Sequence, residues 1–113
     1  MFAKEDPPIV RLGNAILLNA LKAHAAVIYL DREHGVRLKV GSAMRVELDP
    51  LGRLFQPTVE RLQEMAGTDQ RAGTIRLSLA STGMAEFEVR PYGREGLVIT
   101  VTQNPYRHRT IAG

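Results

Sequence analysis

The chain has 113 residues, of which 44% are hydrophobic, and this is enough to build one hydrophobic core. It contains no cysteine, which excludes disulfide bonds and thiolate metal sites. The net charge of +3 arises from 15 basic residues scattered among 12 acids, so it indicates only a weak attraction to nucleic acid.

Membrane and export signals are missing from the sequence. No apolar stretch approaches the roughly 20 residues that cross a bilayer, and the N-terminus lacks the apolar segment of a signal peptide. We therefore expect a cytoplasmic protein without membrane insertion. We expect residues 1–113 to form a single domain, with a core over about residues 8–102 and a flexible basic tail over residues 103–113.

The first predicted element is an amphipathic helix over residues 8–25. Pro8 suits the first helical position and Asp6 suits the N-cap. Apolar side chains recur at helical spacing along one side of this helix, at Ile9, Leu12, Ile16, Ala20 and Ala23. Leu18 falls on the opposite, polar side, so it is either an isolated exposed leucine or a contact with another chain.

Three strands are predicted next, over residues 26–30, 36–40 and 44–48. The first is apolar on both faces, which is typical of a central strand. The second and third alternate apolar and polar residues, which indicates half-buried strands. In the third strand this alternation assigns Met44, Val46 and Leu48 to the buried face.

A second helix is predicted over residues 57–66, with Gly67 at its C′ position. Three further strands follow over residues 75–79, 85–89 and 97–101, with a turn over residues 91–96. The order α-β-β-β-α-β-β-β predicts an α+β fold of two antiparallel meanders. The two helices would lie on one face of a single sheet, or the meanders would form two packed layers.

Chemistry-bearing motifs are scarce. The three histidines are dispersed, and neither a phosphate-binding G-x-x-x-x-G-K-[ST] loop nor a nucleophile elbow occurs. Glu86 and Glu88 share a strand face, and a solvated face explains them better than a catalytic pair does. We therefore expect no enzyme activity, no catalytic residue, no cofactor and no metal.

Charged residues on the polar face of the sheet are the main candidates for a binding site. The alternation places Arg37, Lys39, Arg45 and Arg76 there, together with Glu47, Glu86 and Glu88. They either pair across strands or form a docking face for an acidic partner or a phosphate. Leu18, Leu54 and Phe55 are candidate interface residues.

Four segments occur in an order that is characteristic of one family. They are VRLGNAILLNALKAHAAVIY at residues 10–29, GVRLKVG at 35–41, RLQEMAG at 61–67 and YGRE at 92–95. Together they resemble the domain that precedes the motor domain in type II secretion and type IV pilus assembly ATPases. The resemblance implies that Arg37, and also Arg71, match arginines that reach phosphates held by the motor. It also implies a tendency to form homo-oligomers.

Departures from the family pattern argue against catalysis. Ala26, Val27 and Tyr29 replace polar residues of the family, Lys39 replaces an arginine, and the arginine-rich segment after Gly67 is shortened. The sequence therefore predicts a non-catalytic protein-interaction or regulatory module, whose partner is a pilus or secretion motor or platform component. The alternatives are a small basic nucleic-acid-binding protein, an accessory module that supplies arginine charge in trans to a separate motor ATPase, and a ligand sensor.

Overall fold

The computed structural model describes residues 7–67 and 72–106. The elements are α1 (Pro8–Lys22), β1 (Val27–Asp31), β2 (Gly35–Val40), β3 (Ala43–Leu48), a 3-10 turn (Gly52–Leu54), α2 (Phe55–Met65), β4 (Gly73–Leu79), β5 (Gly83–Tyr92) and β6 (Gly96–Gln103). The predicted α+β class and element order are confirmed. Neither of the described helices is long and apolar enough to cross a membrane.

The six strands form one antiparallel sheet in the order β3-β2-β1-β6-β5-β4. The two meanders join through β1 and β6, where Val27 lies opposite Thr100 and Leu30 lies opposite Leu97. This pairing selects the single sheet over two packed layers and makes β1 a central strand, as its apolar sequence predicts. β3 and β4 form the edges.

Both helices pack on the same face of the sheet. Buried residues of α1, α2 and all strands except β3 form one core cluster, in which Leu17, Leu21, Phe55, Leu62 and Phe87 are fully buried. Strand residues that point toward the helices alternate with residues that point to the other side of the sheet. That second side is not covered by either helix.

The end of α1 comes earlier than predicted, at Lys22 instead of residue 25. His24 adopts a left-handed conformation with φ 60°. The backbone N–H of His24 donates to the Leu21 carbonyl, and that of Ala25 donates to the Ala20 carbonyl, which together form a Schellman cap. This position is usually glycine, so the sequence carries no signal for it. The predicted N-cap, Asp6, lies outside the described residues.

The start of α2 also differs from the prediction. The helix begins at Phe55, so Pro57 lies within its first turn, where its missing N–H has no intrahelical partner to lose. The predicted C′ position is confirmed: Gly67 has φ 76° and its N–H donates to the Glu64 carbonyl.

The C-terminal part of the fold extends further than predicted. β5 continues through Pro91 to Tyr92, and β6 continues to Gln103. Asn104 is buried; its Nδ2 donates to the Leu21 carbonyl at 3.0 Å, and its Oδ1 accepts from the Tyr106 N–H at 2.9 Å. Residues 103–106 therefore belong to the folded structure at the point where the sequence places the start of a flexible tail. The remainder of that predicted tail, residues 107–113, lies outside the described part of the chain.

Candidate functional site

The candidate site is the sheet face that the helices leave uncovered, which we call the open face. Its members are Val27, Tyr29, Arg37, Lys39, Met44, Val46, Thr74, Arg76, Met84, Glu86, Glu88, Arg90, Tyr92, Val98 and Thr100. They share this face because residues directly opposite each other in neighbouring strands point to the same side.

Exposed apolar side chains concentrate on the open face. The described residues include five exposed large hydrophobic side chains, and four of them lie here: Met44, Val46, Met84 and Tyr92. Val46 is the most exposed, at 62%. The rings of Tyr29 and Tyr92 lie 5.2 Å apart at a tilted angle of 58°, and Val98 lies opposite Tyr29 in the adjacent strand. The centre of the open face is therefore an aromatic and aliphatic surface.

Arg37 lies beside this surface and is held by an acid from the neighbouring strand. Its Nη2 donates to Asp31 Oδ2 at 3.0 Å, and its guanidinium lies 5.8 Å from the centre of the Tyr29 ring. Its Nε is buried and has no hydrogen-bond partner in the described part of the protein. The Arg37 charge is thus neutralised within the chain.

Asp31 also accepts from the turn that follows it. The His34 backbone N–H donates to Asp31 Oδ1 at 2.7 Å, and the His34 Nδ1 lies 3.0 Å from the same oxygen. Partial burial raises the pKa of Asp31, but the hydrogen bonds with His34 and the positive charges of His34 and Arg37 outweigh it, so the pKa is lowered overall. Asp31 is therefore ionised at neutral pH.

The other charges on the open face form longer pairs. Arg76 and Glu86 lie directly opposite each other, with Arg76 Nε 3.6 Å from Glu86 Oε1, and Arg90 Nη2 lies 3.9 Å from Glu88 Oε2. The Arg76–Glu86 contact fits the cross-strand pairing that the alternation predicts, whereas Arg90 and Glu88 lie two residues apart on β5. Lys39 is exposed and forms no ion pair with another described residue.

Arg45 and Glu47 are not on the open face, which corrects the prediction for β3. A β-bulge between Val36 and Arg37 shifts the register, so that Val46 lies opposite Arg37 and Arg45 lies opposite the buried Leu38. Glu47 accepts a hydrogen bond from Asn19 of α1 at 3.2 Å. At the bulge β3 has one residue more than β2, so the residues of β3 before the bulge point to the opposite side from the one predicted. Met44 and Val46 are therefore exposed on the open face.

The three candidate interface residues have different surroundings. Phe55 is fully buried, with the Arg32 guanidinium 4.6 Å from the centre of its ring, so the structure places this predicted interface residue in the core. Leu18 is half-buried, and Leu54 is 44% exposed on the 3-10 turn, away from the open face. Arg71 lies outside the described residues.

A cleft between two turns was missed by sequence reasoning. It is lined by residues 31–34 and 92–96, and Arg32 Nη2 spans it to Glu95 Oε1 at 2.8 Å. The sequence does show opposite charges in the two turns, at Arg32 and Glu95. It does not show that the turns are neighbours, because that depends on the pairing of β1 with β6. Within residues 7–67 and 72–106, no three acidic or histidine side chains converge on a point that could hold a metal ion.

The fold defines an α+β module with two helices on one face of an antiparallel sheet and a mixed apolar and charged surface on the other. The same fold occurs in the X-ray structure of the Yersinia pseudotuberculosis ATPase DotB, with a TM-score of 0.51 over 80% of this chain and 29% of that one. The identity is 12%, so this likeness concerns the fold alone. No model of a known protein family matches the chain.

Sequence relatives identify the class more closely. Type II secretion system protein E of Pseudomonas aeruginosa is 34% identical over 97 residues, which are 80% of this chain and 19% of that protein. The corresponding protein of Klebsiella pneumoniae is 34% identical over 70 residues, 59% of this chain and 14% of that one. Type IV pilus assembly ATPase PilB of Myxococcus xanthus is 27% identical over 96 residues, 77% and 17% of the two chains.

The chain is therefore related to the ATPases of type II secretion and type IV pilus assembly, as the ordered segments predict. It resembles the domain that precedes their motor domain. The chain matches less than a fifth of the length of each of these relatives.

Proposed function

We propose that this protein is a non-catalytic protein-interaction module that docks on a secretion or pilus assembly ATPase, or on a component of its platform, through the open face. The observation that carries the proposal is the concentration of exposed apolar side chains there, with Met44, Val46, Met84 and Tyr92 on one uncovered surface. An apolar centre bordered by charged residues is the usual composition of a protein interface.

The charges of the open face favour a partner with an acidic surface. Among the described residues, the contacts of Arg76 and Arg90 with acids are long and exposed. Such contacts contribute little stability, so these arginines can exchange them for a partner's carboxylates. Lys39 is exposed and forms no ion pair with another described residue, so it can contact a partner's carboxylate directly. We expect these residues to set the rate and specificity of binding, whereas the apolar centre supplies most of the affinity.

A non-catalytic role is supported by the residues that the chain contains. No phosphate-binding loop occurs in the 113 residues, so this chain supplies neither the backbone cradle nor the lysine that holds β- and γ-phosphates. Purified protein is expected to hydrolyse no ATP. Hydrolysis that copurifies with the protein and disappears in Arg37→Ala would contradict this part of the proposal.

A contribution of arginine charge in trans is the second candidate, because the resemblance to the family implies that Arg37 corresponds to an arginine that reaches the phosphates. Its ion pair with Asp31 at 3.0 Å opposes that role, since the pair must break before Arg37 can meet a phosphate. When the protein is added to the partner ATPase, we expect the Arg37→Ala variant and the unsubstituted protein to give nearly the same ATP hydrolysis rate. A large loss of stimulation in Arg37→Ala would favour the arginine role instead.

Nucleic-acid binding has less support from the open face. Glu86 and Glu88 interrupt its basic residues, whereas a nucleic-acid surface is dominated by positive charge. Retardation of labelled single-stranded RNA at about 50 mM salt, lost steeply as the salt is raised, would favour this alternative.

The binding experiment compares two matched substitutions. The protein is titrated calorimetrically with the type II secretion or type IV pilus assembly ATPase encoded in the same genome. Tyr92→Asp places a charge on the open face and is expected to weaken binding at least tenfold. Leu54→Asp makes the same change at an exposed apolar residue on the other side of the molecule and is expected to have no effect. A loss of binding in Leu54→Asp alone would overturn the proposed surface.

A further inference from the structure

The outer edge of β3 is an unpaired strand edge. Among residues 7–67 and 72–106, β3 pairs only with β2, and most of its side chains are exposed. An unpaired edge presents a row of backbone donors and acceptors that another strand can satisfy. The opposite edge, β4, is the natural comparison because it is also unpaired on its outer side.

We propose that β3 pairs with β3 of a second copy of this chain, antiparallel and centred on Val46. In this register Val46 lies opposite Val46 of the partner, and Arg45 lies opposite the partner's Glu47. Two symmetric contacts of opposite charge therefore form, and two exposed valines cover each other.

The register follows from the alternatives. A two-fold axis normal to the sheet places the open faces of both copies on the same side. Residues that lie opposite each other must then point to the same side, so the axis passes through a residue pair and not between two residues. Centring on Arg45 would place two arginines in direct opposition, which is destabilising. Centring on Met44 would place Arg45 opposite Ala43 and form no charge pair. Only the register centred on Val46 matches both charge and exposed apolar surface.

The sides of the strand also agree with this register. Arg45 lies opposite buried Leu38 and therefore points toward the helix side, and Glu47 contacts Asn19 of α1 on that same side. Arg45 of one copy and Glu47 of the other would then meet on one side of the joined sheet. Within one chain these two side chains are already close, with Arg45 Nη2 4.0 Å from Glu47 Oε1, so both are available at the edge.

The bulge limits the strength of this contact. Past Glu47 the strand alternation is interrupted, so the matched stretch is short. It is smaller than a standard stable interface, and we expect a reversible dimer with a dissociation constant on the order of 100 μM. The contact shares Val46 with the proposed docking surface but does not involve Tyr92, and it is tested with the purified chain alone, so its failure and the failure of the proposed function can be told apart.

Sedimentation equilibrium of the full chain across this concentration range tests the proposal. Arg45→Glu places two glutamates in opposition and is expected to raise the dissociation constant at least tenfold, as is Glu47→Arg. The double variant Arg45→Glu/Glu47→Arg restores opposite charges and is expected to return the constant to within about threefold of the starting value.

Arg76→Glu on β4 is the matched control, because it makes the same charge change on the other edge strand and should leave the dimer intact. Thermal unfolding of each variant identifies any that fails to fold; the rescue in the double variant separates pairing from a loss of fold. A monomer at every concentration, a dimer broken by Arg76→Glu, or no rescue in the double variant would overturn the proposal.

Discussion

The carboxylate of Asp31 accepts hydrogen bonds from two directions, and it joins the turn after β1 to the open face. His34 approaches from the turn, and Arg37 approaches from β2. The first contact closes the turn through the backbone N–H, and the second holds the arginine against Tyr29. Asp31 therefore links the local geometry of a hairpin to the charge of the candidate interface.

The pH dependence of stability should report this linkage. Although partial burial raises it, the hydrogen bonds from His34 and the nearby positive charges lower the pKa of Asp31 from its usual value, so the folded state favours the ionised carboxylate. Its stabilising contribution is present at neutral pH and is lost as the pH falls through the lowered pKa. Asp31→Asn is expected to reduce the free energy of unfolding at neutral pH, and the difference from the unsubstituted protein should shrink below about pH 4.

Chemical denaturation at a series of pH values measures this difference. Glu33→Gln is the matched control, since it removes one charge from the same turn at an exposed position and should change little at any pH. A difference for Asp31→Asn that stays constant down to about pH 2.5 would contradict the assignment.

His24 carries backbone strain that a simple substitution can relieve. Its φ of 60° is unfavourable for residues with a Cβ, and its side chain is exposed. His24→Gly is expected to raise the free energy of unfolding by about 1 kcal/mol, measured by urea denaturation. His24→Ala also removes the imidazole but keeps the strain, so it should give no such gain; equal gains for both variants would show that the imidazole is responsible.

At the scale of elements, Gly35 is needed where β2 passes the end of β3. A Cβ at this position would lie 2.2 Å from the Leu48 carbonyl oxygen and 2.6 Å from that of Asp49. The strand cannot accept that atom without moving its neighbour. Gly35→Ala is expected to cost about 3 kcal/mol or more of stability, because both the close contact and the positive φ oppose it.

Gly41→Ala isolates the conformational part of this cost. Gly41 also has positive φ, 64°, but no atom lies within 4 Å of a Cβ built there. We expect it to lose only about 1 kcal/mol in the same urea denaturation. Equal losses for the two variants would mean that the close approach to β3 is not important.

The sequence predicts the existence and order of the elements well because each depends on local periodicity. The register of β3 depends on a bulge, and no residue in Ala43–Leu48 is typical of one. The alternation therefore predicts that Met44 and Val46 are buried, whereas they are exposed. The end of α1 was missed for a related reason, since His24 occupies a position where glycine is the usual signal. Local patterns identify elements, but these local irregularities decide which side chains are exposed.

At the scale of the whole molecule, long-range pairings bring the site together. Val27 meets Thr100 across the joint between β1 and β6, and Asn104 connects the chain after β6 to the last turn of α1. The alternation of single strands predicts that Arg37, Lys39 and Arg76 share a face. It cannot predict that the rings of Tyr29 and Tyr92 contact each other, because their contact depends on the order of strands in the sheet.

The methionine methyl groups give the most direct test of docking through the open face. Met44 and Met84 are exposed near its two ends, whereas Met65 lies on α2, partly buried against the core. In protein labelled with ¹³C at the methionine methyls, adding the partner ATPase is expected to shift or broaden the NMR signals of Met44 and Met84 and to leave that of Met65 unchanged. A response from Met65 alone, or no response from Met44 and Met84 at saturation, would contradict the account.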